Sequence, residues 1–249
     1  MKNLVLGSLI AVLASQAAGC IIETDDSTYV TASWSIKKIE NNTTVPSCPP
    51  NITTAALYSQ PVQPDGTFVG DPIVDLFDCN AFSGISSGLA PGLYLNWVDL
   101  ATENNGMLYA KSLAPDFNDD GFPDNTDMTV DNSLHFDLYD DGGYFDVSWA
   151  LQGAQTNTPL QCSTAGAAGG VEITATLSGT SSAASDQFDC ENGYGITGGY
   201  LAGSYTLSMA ALNAADQSIG TAPTIPTATI GRANAVTHLN TITIPIDGK

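Results

Sequence analysis

Apolar and small polar residues alternate along most of this chain. Ser33-Trp34-Ser35-Ile36, Ile173-Thr174-Ala175-Thr176-Leu177 and Tyr205-Thr206-Leu207-Ser208-Met209 place an apolar side chain at every second position. That is the period of a strand with one buried face and one wet face. Turn-forming clusters punctuate the runs, among them Gln63-Pro64-Asp65-Gly66, Glu103-Asn104-Asn105-Gly106 and Asp140-Asp141-Gly142-Gly143. Such clusters supply the backbone conformations that reverse a chain between strands. Lys, Arg and Glu are scarce, which leaves little material for long surface helices. The pattern predicts an all-β protein.

The apolar pattern also occurs twice. Val30 to Ile36, with Trp34 near its end, matches Phe145 to Leu151, with Trp149 in the same place. Cys48 lies 14 residues after its tryptophan, and Cys162 lies 13 after the other. Asp75 to Cys79 then matches Asp186 to Cys190, and Leu89 to Tyr94 is echoed by Leu201 to Tyr205. Leu134-His135-Phe136-Asp137-Leu138 matches Ile242-Thr243-Ile244-Pro245-Ile246. Landmarks recurring in one order imply an internal duplication. The expected architecture is two tandem antiparallel β-sandwich domains, residues 29–141 and 142–249, each of about 110 residues and so large enough for its own core.

Residues 1–19 have a different character. Lys2 precedes an apolar run from Leu4 to Leu13, about half the roughly 20 residues that a membrane-spanning helix requires; this is the pattern of a secretory signal. Its ending, Ala17-Ala18-Gly19-Cys20, resembles the lipobox of bacterial lipoproteins. The resemblance implies cleavage before Cys20 and acylation of that cysteine, with residues 20–28 as a lipidated cysteine and tether. Ile21 follows the cysteine where Asp would retain a lipoprotein at the inner membrane, so the resemblance implies the outer membrane, with the facing side left open.

Five cysteines are an awkward number for an oxidising compartment, and acylation of Cys20 leaves an even set: Cys48, Cys79, Cys162 and Cys190. Because each copy owns one pair, Cys48–Cys79 and Cys162–Cys190 are the expected bridges; a crossed pairing would join two units that should fold separately. Each closes a loop of about 30 residues, for which chain entropy gives roughly 3–4 kcal/mol. Pro91-Gly92-Leu93-Tyr94, and more loosely Gly203-Ser204-Tyr205, resemble the turn entering a late strand in immunoglobulin-like and transthyretin-like sandwiches of bacterial surface lipoproteins. That likeness concerns fold and implies no activity.

One duplicated position is chemically different in the two copies. Residues 116–127 read DFNDDGFPDNTD, where copy two carries the stretch 221–234, which has no acidic residue. Asp116, Asn118, Asp120, Asp124 and Asp127 fall at loop positions 1, 3, 5, 9 and 12, with Gly121 at position 6 and the Phe122 carbonyl at position 7. Calcium takes six to eight hard oxygen ligands, and a turn at position 6 lets a chain wrap the ion. The segment resembles the calcium loops of thrombospondin type 3 and dockerin-like repeats. It is expected to hold one structural Ca2+, because carboxylates packed this closely repel one another unless a cation neutralises them.

The chain has 26 Asp and Glu against six Lys and Arg, a formal charge of −20, which excludes nucleic acid as a partner. It leaves the acyl chain on Cys20 as the link to a membrane. Gly84-Ile85-Ser86-Ser87-Gly88 satisfies the Gly-x-Ser-x-Gly pattern, yet that pattern works on a strand-to-helix turn with a histidine nearby, and here it lies between strands. His135 and His238 lack metal-ligand spacing. Asp78 and Asp189 recur beside the second cysteine of each copy, which points to a repeated structural role. No enzyme is predicted. The expected function is a binding or adhesion module for a protein or glycan ligand, with a structural spacer or assembly subunit of an envelope complex as the alternative. An exposed aromatic row would separate them; Tyr58, Phe82, Tyr94 and Trp97 in copy one, and Tyr194 with Tyr200 in copy two, are the candidates for such rows, although core packing is the commoner role for each.

Overall fold

A computed structural model describes residues 27–117 and 123–249. The proposed signal, Cys20 and three of the six proposed calcium ligands, Asn118, Asp120 and Phe122, lie outside these residues. Among the described residues no helix is long and apolar enough to cross a membrane.

The first copy contains β1 (Val30–Lys38), β2 (Thr43–Thr44), β3 (Thr54–Val62), β4 (Ile73–Asp78), β5 (Ser83–Ile85), β6 (Leu93–Ala101), β7 (Leu108–Lys111), β8 (Thr126–Asp127) and β9 (Asn132–Tyr139). The second contains β10 (Gly142–Gly153), β11 (Pro159–Leu160), a single helical turn α1 (Cys162–Ala165), β12 (Gly170–Leu177), β13 (Ala183–Phe188) and β14 (Tyr194–Ile196). It continues with β15 (Tyr200–Leu201), β16 (Gly203–Leu212), β17 (Ser218–Thr221), β18 (Ile225–Ile230), β19 (Ala235–His238) and β20 (Ile242–Ile246).

The protein is all-β, and its two copies share one topology. In copy one, β4, β3, β6 and β7 form one sheet, with β8 also on β6; β1 pairs with β2, β5 and β9 in the other. Copy two repeats this with β13, β12, β16, β17 and β18 in one layer, and β10 with β11, β14, β15, β19 and β20 in the other. A bridge between Gly220 and Ile246 stitches the two layers of copy two at one corner. Most pairings are antiparallel. Each copy adds one parallel pairing, β9 on β1 and β19–β20 on β10, which brings the last strand back beside the first. The register of these pairings shifts the last repeat landmark by two residues: Leu138 sits opposite Ile36, and Ile244, not Ile246, sits opposite Leu151. A shift of two leaves every side chain on the same face, which is why the sequence pattern could not detect it.

Buried apolar residues form two clusters. One takes Val30, Trp34, Leu57, Val98, Phe136 and their neighbours; the other takes Phe145, Trp149, Ile173, Leu207, Ile244 and theirs. The structure forms Cys48–Cys79 and Cys162–Cys190, and each bridge is tied to its tryptophan in the same way. Trp34 Nε1 donates to the Cys79 carbonyl at 2.9 Å, and Trp149 Nε1 donates to the Cys190 carbonyl at 3.1 Å. A buried indole needs a partner for its N–H, so the tryptophan that fills each core also fixes the cysteine loop. Tyr94 and Tyr205 repeat a second link, their hydroxyls donating to the carbonyls of Ala90 and Leu201.

The copies meet through residues 139–143 and 232–236. Asn234 is 2% exposed and its φ is +60°, a left-handed conformation that Asn tolerates better than most residues. Its side chain accepts from Tyr139 N at 2.7 Å and donates to the Lys111 carbonyl at 2.7 Å, while its own N–H donates to the Tyr139 and Gly142 carbonyls. Asp141 caps the end of β1 by accepting from the N–H groups of Ile39 and Glu40.

Candidate functional site

The register places Val74, Tyr58 and Trp97 in one row across β4, β3 and β6. Leu57 and Val98, their chain neighbours, belong to the core, so by strand alternation this row stands on the outer face. Tyr58 and Trp97 stack with ring centroids 4.9 Å apart and planes 4° from parallel. Asn105 donates from Nδ2 to the Tyr58 hydroxyl at 2.7 Å, and the Lys111 ammonium lies 4.3 Å from the Trp97 ring centre. The next row holds Leu76, Ala56, Asp99 and Lys111, and Val74 and Leu76 are 40% and 51% exposed. Burial pushes the Asp99 carboxyl above the usual range, an effect that the Lys111 charge and the Trp97 indole only partly offset. Trp97 Nε1 and Asp99 Oδ1 are both buried without a well-formed hydrogen bond.

Copy two shows what this face looks like when it carries only the fold. The row corresponding to Val74, Tyr58 and Trp97 is Ser185, Thr174 and Ser208, joined by a Thr174–Ser185 hydroxyl contact of 2.8 Å. The same topology therefore forms without aromatic residues there. In copy one the apolar side chains are an addition to the fold, with Val74 and Leu76 exposed and Tyr58 and Trp97 partly so, an arrangement that suits a contact site.

Beside this face runs a groove of about 560 Å³ between the copies. Phe68, Leu95, Trp97, Leu108, Tyr109 and Leu113 line one wall, and Arg232 to Val236 line the other. It lies where β8 has only two residues, whereas its counterpart β18 has six. Tyr109 donates its hydroxyl to Asp140, and burial, reinforced by that carboxylate, pushes the phenol above its ordinary value.

The other aromatic candidates divide. Tyr94 and Tyr200 are core residues, 5% and 7% exposed. Phe82 packs against the first core from a left-handed position that ends a 3-10 turn. Tyr194 is 40% exposed on β14, on the opposite layer of the other copy. Two of the six candidates, Tyr58 and Trp97, thus share one outer face, while Tyr94, Tyr200 and Phe82 serve the cores.

The catalytic candidates have structural tasks. Ser86 is 5% exposed and accepts from Val30 N at 2.9 Å; Thr197 does the same for Phe145 N in copy two. Gly84 and Gly195 both lie beneath phenylalanine rings, Phe77 and Phe188, where a Cβ would come within 2.5 Å of ring carbons. The Gly-x-Ser-x-Gly run is therefore a packing motif. Asp78 and Asp189 cap the 3-10 turns that follow them by accepting from Asn80 N and Glu191 N. Ser33, His135 and Asp137 form a chain of contacts of 2.9 and 3.0 Å. However, the histidine side chain is 54% exposed on an open sheet face, and Asp137 is held by Lys37 and Ser35, each at 2.5 Å.

Of the proposed calcium ligands, Asp116, Asp124 and Asp127 are described. Asp124 accepts from Phe117 N at 2.7 Å and Asp127 accepts from Thr129 N at 3.0 Å. Among the described residues no group of three or more His, Cys, Asp or Glu side chains gathers as a metal cluster. Asp131, a neighbouring acid, caps Tyr29 N at 2.8 Å.

Sequence reading missed Asp99, Lys111, Arg232 and Asn234. The signal for the outer face was present, because Trp97 and Ser208 are related by the same offset of 111 residues that relates the second cysteines.

No protein-family model and no curated protein matches the chain. Among solved structures, a leucine-rich repeat protein from Bacteroides thetaiotaomicron aligns at 13% identity and a TM-score of 0.40 over 89% of this chain. The alignment covers 26% of that protein, so this chain spans about a quarter of its length. The minor pilin GBS52 of Streptococcus agalactiae aligns at 13% identity and 0.28, covering 90% of this chain and 98% of its own. The fimbrial anchor protein Mfa2 of Porphyromonas gingivalis aligns at 12% and 0.26, covering 78% and 81%. Similarity this distant carries no argument about function.

Proposed function

We propose that this protein is a non-enzymatic binding module of a bacterial envelope, anchored to the outer membrane through an acylated Cys20 and carrying one structural Ca2+ in residues 116–127. Its units are residues 29–141 and 142–249, and it engages a protein or glycan ligand on the outer face of β4, β3, β6 and β7. The observation that carries this reading is the row Val74, Tyr58 and Trp97 standing where copy two has Ser185, Thr174 and Ser208. Stacked aromatic side chains on a sheet face offer a rigid apolar platform to a sugar ring or an apolar side chain. The anchor rests on the lipobox resemblance, and the calcium rests on the spacing of oxygen-bearing residues.

The test is to give copy one the face of copy two. In the variant Tyr58→Thr, Trp97→Ser, retention on a panel of immobilised envelope proteins and polysaccharides should fall at least about tenfold, the scale of losing a buried aromatic anchor. The near-ultraviolet spectrum of Trp34 and Trp149 should keep its native form. Undiminished retention would favour the second reading, a spacer or assembly subunit. That reading has its own support in the clasp at Asn234, which fixes one copy on the other as a rigid spacer requires.

A further inference from the structure

The groove beside the aromatic face has a polar lining of one kind. Ser112 Oγ is used by Val98 N, the Asn234 amide by Tyr139 N and the Lys111 carbonyl, and the Tyr109 hydroxyl by Asp140. What remains is the Lys111 ammonium, paired across the strands with Asp99, and the Arg232 guanidinium. Both are donors. Lys111 and Arg232 are two of only six Lys and Arg in a chain with 26 acids, and Arg232 meets its nearest carboxylate, Asp140, only at 4.0 Å with its side chain 69% exposed. The rest of the lining is apolar.

We infer that this groove, which adjoins the outer face at Trp97 and Lys111, is a second binding site that takes a small amphiphilic carboxylate. The apolar body of the ligand lies against Phe68, Leu95, Leu113 and Val236, and its carboxylate is held by Lys111 and Arg232. A volume of about 560 Å³ falls within the range of small-molecule sites. A neutral sugar would bring the two cations no counter-charge and would set its hydroxyls against a mostly apolar lining. A carboxylate brings acceptors alone, and charge-assisted hydrogen bonds to Lys and Arg are the strong ones. The general field of the protein repels anions, so selectivity comes from the two cations placed at this groove.

The experiment uses residues 21–249, which include both cores, and two probes with their uncharged counterparts: decanoate against decanol, and 2-naphthoate against 2-naphthylmethanol. Calorimetric or fluorescence titration should show one-to-one binding of each acid, with the alcohol weaker by roughly tenfold or more, the scale of a lost hydrogen bond to a charged group. The variant Lys111→Ala, Arg232→Ala should lose a similar factor for the acids and little for the alcohols, while keeping its thermal midpoint. A single Arg232→Ala variant serves if the double variant fails to fold. Tyr194→Ala, on the opposite layer of the other copy, should bind the acids as the unaltered protein does. Equal affinity for acid and alcohol, acid binding indifferent to the loss of both cations, or no saturable binding would overturn the site. Much tighter binding of a peptide through a free C-terminal carboxylate would assign the groove to a protein terminus and overturn the small-molecule assignment.

Discussion

At Asp137 a carboxylate beside a histidine and a serine has the composition of a catalytic set, and its surroundings assign it to the sheet instead. Burial pushes its carboxyl up, but the hydrogen bonds from Lys37 and Ser35 and the charges of Lys37 and His135 outweigh that and hold it below the usual value of 3.8. A depressed carboxyl contributes stability above its unfolded pKa and loses it as pH falls through the lower folded value. Asp137→Asn should therefore lower stability at pH 7 by about 0.5–1 kcal/mol, the range for a partly exposed ion pair. The gap between variant and unaltered protein should close as the pH is taken below about 4, which thermal melts across pH would show. A constant gap down to pH 2 would mean that packing, not charge, accounts for the loss. Ser86 belongs to the same scale: what reads as a nucleophile in one copy is a hydroxyl cap that threonine provides in the other.

At the scale of elements, strands and bridges were legible because they depend on local rules. Alternation at period two marks a strand, and the repeated spacing of Trp and Cys marks a duplicated sandwich. The parallel return of β9 and β20, and the junction between copies, were not legible, since they depend on residues that meet only after folding. Asn234 reads as an ordinary turn residue, and nothing local announces that Lys111, 123 positions earlier, will accept its amide. The outer face falls between these cases: each aromatic residue was visible, but its side of the sheet depends on register, and a shift of one residue exchanges the faces. The clasp yields a test that separates backbone from side chain. Asn234→Gly keeps access to positive φ and should cost about 1–3 kcal/mol for the buried hydrogen bonds. Asn234→Ala adds left-handed strain of about 1 kcal/mol or more. Urea unfolding measures both, and equal losses would mean that the conformation at φ +60° carries no cost.

For the whole molecule, a formal charge of −20 governs how any cation effect must be read. Every cation relieves self-repulsion in such a chain, so higher stability in calcium alone would not identify a site. A site makes three further demands: saturation at one ion per chain, selectivity over Mg2+ at equal ionic strength, and dependence on particular oxygens. Among the described residues, Asp124 and Asp127 each give one oxygen to a backbone N–H, which shapes the ends of the loop. Isolated extracellular calcium modules bind at about 0.1–1 mM. Calorimetric titration of residues 21–249, chelated beforehand and held in about 0.1 M salt to damp the general field, should then show one-to-one heat with Ca2+ in that range and little with Mg2+. At about ten times the dissociation constant the gain in stability should be roughly 1.4 kcal/mol, and Asp116→Ala, Asp120→Ala should remove both the heat and the gain. Equal responses to Ca2+, Mg2+ and a matched addition of NaCl, unchanged in the variant, would make residues 116–127 a solvated acidic connection whose charge the fold only tolerates. Because copy two has no acidic residue at the same place, that outcome would leave the aromatic row as the feature that distinguishes one copy from the other.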